Sequence, residues 1–198
     1  MATKLSPGDI TAGAIALHKA ECSLPGCEHS YRVIVTGSRT WSKPDIIRSA
    51  LNGILAFVPV GLPMVVVHGQ CDPLNPRTRR RIPWATALAL PLPQRSRLLG
   101  ADWHASQWVR EAARITGSMT VGEEAHPANW HPGGKFDRTA GFGRNGEMID
   151  SGAREALAFL DRCMRAHCGP GPHGSHGTEH CAKWAERAGI PVRRFGDA

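Results

Sequence analysis

The sequence predicts an α/β fold in which a doubly wound parallel sheet carries helices on both faces. Three observations carry that expectation. Two short runs rich in β-branched residues, Arg32–Thr36 and Met64–His68, are each closed by a glycine, Gly37 and Gly69, as buried strands are. Two other stretches place apolar residues at helical spacing. Within 44–58 these are Ile46, Ile47, Ala50, Leu51, Ile54 and Leu55, and within 101–116 they are Ala101, Ala105, Trp108, Val109, Ala112, Ala113 and Ile115. Strand-like and helix-like segments alternate along the chain, and alternation implies parallel strands joined by crossover helices.

Taken in order, residues 1–30 read as an N-terminal helical arm, capped by Asp9 or Thr11, striped by Ile10, Ala14 and Leu17 and ended by a Pro-Gly turn. Residues 31–198 then form one α/β domain. Its rhythm breaks at 71–99, which holds five prolines and the basic cluster Arg77, Arg79, Arg80 and Arg81 with no acid after Asp72. This stretch reads as an inserted, partly mobile loop, with helix only at 84–90. Beyond the helix at 101–116, a short strand is expected at 119–126, a loop at 131–135, a helical turn or two at 144–151 and a strand at 155–160. A Gly/His-rich loop at 169–177 leads into a helix at about 178–188, and Ile190-Pro191-Val192 enters a last strand.

Composition narrows the partners. The 198 residues are 41% hydrophobic and 21% charged, a globular mixture, with a net charge of +7 that favours anionic partners such as nucleotides, phosphates or nucleic acid. No apolar run approaches the roughly 18 residues of a membrane span. The first 22 residues lack a basic segment followed by a continuous apolar one, so no signal peptide, anchor or membrane partner is expected, and the expected location is cytoplasmic. The six cysteines are read as free thiols and no metal or other cofactor is called for. The alternative is a four-thiolate zinc site from Cys22, Cys27, Cys163 and Cys168, whose paired spacing lies at the loose edge of the zinc range; His173, His176 and His180 are a separate metal hint with no regular ligand spacing.

In a parallel sheet ligands bind beyond the carboxyl ends of the strands, near the switch point, where Gly37, Gly69 and Gly177 fall. Gly37 permits a sharp turn and close ligand approach, and Ser38 and Arg39 can donate to phosphate. His68 and Gly69 end the second strand; His68 fits either a ligand contact or a hydrogen-bonded strand end. Arg144 and Asn145 can add donors at a helix start, or Asn145 can simply cap it. Gly174, Gly177 and Thr178 open a helix and can cradle an anion, with helix capping as the plainer reading. Trp130 can stack on a base or cover a core edge.

Taken together, Arg32–Arg39 with Trp41, VVHG at 66–69, GAD at 100–102 with Ala105 and Trp108, PANW at 127–130, Ala140-Gly141 with RNGEM at 144–148, GT at 177–178 and GIPV at 189–192 resemble the YspA/cpYpsA-related branch of the SLOG superfamily. More distantly they resemble the LOG phosphoribohydrolases and DprA. The resemblance covers about 32–195, apart from 71–99. It implies a Rossmann-like fold that binds a nucleotide-type small molecule, assembled as a homo-oligomer, and adds Asp102 to the ligand-facing residues. It also supplies an alternative, an enzyme that cleaves the N-glycosidic bond of nucleoside monophosphates, with Arg144 matching the catalytic Arg of the LOG pattern. The pattern's final Glu falls at Cys181, so Glu179 is the nearest carboxylate for the catalytic role. A third reading is a basic nucleic-acid binder acting through Arg77, Arg79, Arg80 and Arg81.

Overall fold

The computed structural model describes residues 30–117, 120–163, 168 and 173–196. The expected helical arm at 1–30, with Cys22 and Cys27, lies outside the described residues.

Five parallel strands form one sheet: β1 (Tyr31–Gly37), β2 (Met64–His68), β3 (Val121–Ala125), β4 (Glu155–Phe159) and β5 (Val192–Phe195). Their order across the sheet is β3-β2-β1-β4-β5. The chain builds outward from β1 to β3, then returns to lay β4 on the other side of β1, which puts the switch point between β1 and β4. The register sets Val33 beside Val66 and Val35 beside Leu157. This is the doubly wound, Rossmann-like α/β architecture that the alternating pattern predicts.

Helices α1 (Pro44–Leu55) and α4 (Ala101–Thr116) cover one face, and α5 (Ala140–Asp150) and α6 (His176–Arg187) cover the other. Side chains alternate across the strands accordingly. Val33, Val35, Met64, Val66, Leu157 and Phe159 meet Leu51, Ala105 and Trp108 on the first face. Ile34, Val65, Val67 and Ala156 meet Met148, Ile149, Cys181 and Ala185 on the second. Burial on both faces explains why the strands read as unbroken apolar runs rather than alternating ones. Large aromatic side chains of the first face keep their polar edges paired: Trp41 donates to the Lys43 carbonyl at 2.9 Å and Trp108 to Asn52 at 2.8 Å.

Within 71–99 the helix expected at 84–90 is present as α2 (Trp84–Ala89), and the loop reading of the rest is corrected by a second short helix, α3 (Leu92–Arg95), and by Leu74, which bridges to both Arg81 and Leu99. The prolines that argue against one long helix stand at helix starts instead, Pro83 before α2 and Pro91 before α3. Ala87, Leu98 and Trp103 form a small core with Ile82, Trp84, Leu88 and Leu90, which fastens the stretch to the first turn of α4.

Candidate functional site

The connections after β1, β2, β3 and β4 gather at the carboxyl rim of the sheet. A cleft of about 170 Å³ opens there, lined by Arg39 after β1, Gly69, Gln70, Cys71 and Asp72 after β2, Arg81, and Pro127, Ala128 and Trp130 after β3. Arg39 lies over the Trp130 ring with its guanidinium carbon 5.5 Å from the centroid, and Trp130 stacks on Phe136 from 6.3 Å. A wider and shallower groove of about 430 Å³ lies between α1 and β5; Asp45, Ile46, Ser49, Ala50, Arg193 and Phe195 line it, none of them a candidate site residue from the sequence.

Arg144 reaches the rim from α5. Its guanidinium rests directly on Gly69: a Cβ built there would fall 1.3 Å from Nη1. Any side chain at this point would displace the guanidinium. The side chain is 13% exposed. Its Nε donates to Asn145 Oδ1 at 3.1 Å, Nη1 lies 3.7 Å from Cys71 Sγ, and the Asp102 carboxylate stands 4.0 Å away. Burial works against the Arg144 charge, but Cys71 and Asp102 work for it, with a net rise above the ordinary arginine value. Burial, then Asp102, pushes the Cys71 thiol up against the pull of Arg144 and Arg39.

Several expected ligand residues have structural partners instead. His68 is fully buried. Its Nδ1 accepts the Gln70 N–H at 3.1 Å, which leaves the ring proton on Nε2 to be donated to Glu123 at 3.1 Å. Both nitrogens are spent, and His68 acts on the site by folding Gln70 back over the end of β2. Glu123 is pulled up by burial and down by His68, Ser106 and Arg110, and the second group prevails. Asp102 is buried and accepts the Cys71 N–H at 3.0 Å, pinning the connection after β2. The first amides of the α4 segment are also spent, Gly100 on the Trp41 carbonyl and Ala101 on the Ser38 carbonyl. Gly37 serves packing: a Cβ there would meet the Ala101 Cβ at 2.3 Å.

The Ser38 hydroxyl accepts the Asp161 N–H at 2.9 Å and donates to Ser175 Oγ at 2.9 Å. Ser175 in turn shares a hydrogen bond of 2.6 Å with Thr178. Ser38 and Thr178 therefore join β1, the connection after β4 and the start of α6. Gly174 pairs with Arg162 in the same connection, while Gly177 stands open. Asn145 is buried and donates to the Gly177 carbonyl at 3.2 Å while accepting from Arg144, so it aims the arginine rather than a ligand.

Glu179 is not brought to Arg144. Its charge acts on Arg194 of β5, while the acidic groups acting on Arg144 are Cys71, Asp102 and Cys181. At Cys181 burial raises the thiol to about 11, against a hydrogen bond to Thr36. Cys163 and Cys168, read from the sequence as partners of Cys22 and Cys27, are brought together with His173 and His176.

Cys71 and Asp72 are cleft residues that sequence reasoning missed; their signal is only their position, just after the glycine that ends β2. The chain is 35% identical over 167 residues to the Gene 61 protein of Mycobacterium phage D29, a match covering 84% of this chain and 97% of that protein. It belongs to that phage protein's family. No family model matches the chain, and no solved structure does. Among the described residues of this gene 61 family member, no helix is long and apolar enough to cross a membrane.

Proposed function

We propose that the chain binds a nucleotide or nucleotide-derived anion in the cleft above β1, β2 and β3, as a sensor or sequestering protein of the SLOG type. The observation that carries this reading is Arg144. Its guanidinium is held at Gly69, largely out of water, with Asn145 and Cys71 as partners and the nearest carboxylate beyond hydrogen-bond distance. Its surroundings on balance favour the charged form, and its terminal nitrogens offer the paired donors that an anion takes bidentately. Gly69, on which it packs, lines the cleft together with Arg39 and Arg81, and Arg39 on Trp130 offers a flat cationic and aromatic surface to a base.

Binding is favoured over glycosidic hydrolysis by where the carboxylates are. Cleavage calls for a carboxylate that faces the sugar and is free to stabilise an oxocarbenium or to activate water. Asp102 is committed to the Cys71 N–H, Asp72 accepts the Trp84 N–H at 2.9 Å, and Glu179 acts on β5. The nucleic-acid reading draws on a separate observation. Arg77, Arg79 and Arg80 are exposed on a turn held by Asn75 Oδ1, which accepts the N–H groups of Arg77 and Thr78 at 2.9 and 3.0 Å.

Calorimetric titration with AMP, ADP-ribose and NAD tests the proposal, with chromatography of each mixture for free base. At least one should bind with one equivalent per chain and no base released, and Arg144→Ala should weaken it at least about tenfold, near 1.4 kcal/mol. Saturable binding that Arg144→Ala leaves intact, or no binding of any of the three, overturns it. Release of base restores the hydrolase. Tight DNA binding with a steep salt slope, in place of nucleotide binding, transfers the function to the arginine turn.

A further inference from the structure

The connection between β4 and α6 holds a second cluster that the nucleotide cleft does not use. Cys163, Cys168, His173 and His176 each offer one donor atom, and the four atoms all lie within 4.8 Å of one another. The two sulphurs are 3.5 Å apart, Cys168 Sγ is 3.1 Å from His176 Nε2, and the two Nε2 atoms of His173 and His176 are 3.2 Å apart. Zinc–sulphur bonds of about 2.3 Å and zinc–nitrogen bonds of about 2.0–2.1 Å, set tetrahedrally, give edges of about 3.8 Å between sulphurs, 3.6 Å between sulphur and nitrogen and 3.3 Å between nitrogens. These three separations lie inside the corresponding edges by about 0.1–0.5 Å, and all four atoms lie within 4.8 Å of one another. The sulphurs are far beyond the roughly 2.05 Å of a disulfide bond.

Hydrogen bonding among the four groups is a poor account of this convergence. His176 Nε2 faces a sulphur and another imidazole nitrogen at once, and a single ring nitrogen has either one proton or one lone pair to direct. A cation at the centre lets every lone pair point inward. Two thiolates and two neutral imidazoles balance a divalent ion, so the site carries no net charge into a half-buried position.

We infer that Cys163, Cys168, His173 and His176 form a structural zinc site that clamps the connection after β4 to the first turn of α6. Four protein ligands close the coordination sphere, which makes the site structural rather than catalytic. The backbone prepares it: Arg162 bridges to Gly174, and the Cys163 N–H donates to the His173 carbonyl at 2.8 Å. Ser175, between the two histidines, is the residue that holds Ser38. The set mixes thiolate with imidazole, a combination that suits zinc over magnesium or calcium. The inference is independent of any nucleotide.

The test is metal analysis of the full chain, purified without chelator, by plasma mass spectrometry. About one zinc per chain is expected, falling below about a tenth of that in Cys163→Ser/Cys168→Ser and unchanged in Cys71→Ser. Cobalt(II) added to the zinc-stripped chain should give the intense visible bands of a tetrahedral ion with thiolate charge transfer. His176→Cys keeps four ligands and should strengthen the charge-transfer band, which preserves the test if the double variant fails to fold. Zinc below about a tenth of an equivalent, with cobalt giving only the weak spectrum of an octahedral ion, overturns the site. So does a Cys163–Cys168 disulfide in the protein as purified, or zinc content that the double variant does not lower.

Discussion

The connection leaving β2 and the connection leaving β4 stand on the same carboxyl rim, yet they treat their polar groups in opposite ways. After β2, Gly69 brings no side chain, and the space it leaves is taken by the Arg144 guanidinium, at the edge of a cleft that Gly69, Arg39 and Arg81 line. After β4, the Asp161 amide, the Ser175 hydroxyl and the Cys163 amide are each bonded within the protein, and four Cys and His donors face one another. The winding of the sheet decides where a site can form. The side chains decide whether an outside molecule or the chain itself occupies it.

Acid should separate the two regions with the largest effect. His104, in the first turn of α4, is buried, and burial lowers its pKa from 6.5 to about 4. Between those values the unfolded chain binds the proton and the folded chain does not, so stability is full above pH 6.5 and falls as the pH drops towards 4. The shift is worth up to about 3 kcal/mol. Urea unfolding at several pH values should show that loss, and His104→Gln, compared with its own stability at neutral pH, should flatten the decline. Equal declines in both proteins would take His104 out of the account and leave no acid weakness particular to the α4 side.

Next in size is the joint between the regions. Ser38→Ala removes the acceptor of the Asp161 N–H and the partner of Ser175, at a cost of about 1–3 kcal/mol. Nucleotide affinity should stay within about twofold, because this hydroxyl is spent inside the protein. A tenfold loss of affinity with stability intact would return Ser38 to the ligand, as its place after the first strand suggests.

The order of elements was legible because strands buried on both faces read as plain apolar runs, and the helices between them carry the 3.6-residue period. The stretch 71–99 was not, since its core draws Trp103 from α4, a residue outside the stretch. At the site the sequence points to the rim but does not say which group is spent. Arg39, Gly69 and Trp130 line the cleft and Arg144 packs on Gly69, as their positions suggest. His68 and Asp102 carry equally suggestive chemistry, and their partners Glu123 and Cys71 lie 55 and 31 residues away along the chain. Cys163 and Cys168 drew attention by their spacing. Their companions are His173 and His176, a separate metal hint in the sequence that spacing alone does not join to the cysteines.

Two glycines give the finest test of the contrast. Gly69 and Gly177 both read from the sequence as ligand-facing, but a Cβ at Gly69 falls on the Arg144 guanidinium, while at Gly177 it meets nothing within 4 Å. Gly69 is not among the glycines with positive φ, and the group in the way is the far end of a flexible side chain. Gly69→Ala should therefore spare the fold, with the melting temperature moving by less than about 2 °C, while displacing the guanidinium and weakening nucleotide binding about tenfold. Gly177→Ala, in the first turn of α6, should leave affinity within about twofold and stability equal or slightly higher, since alanine is the better helix former. Calorimetry on the two variants side by side reads the difference directly. A tenfold loss in Gly177→Ala with none in Gly69→Ala would move the anion from the β2 connection to the amides that open α6.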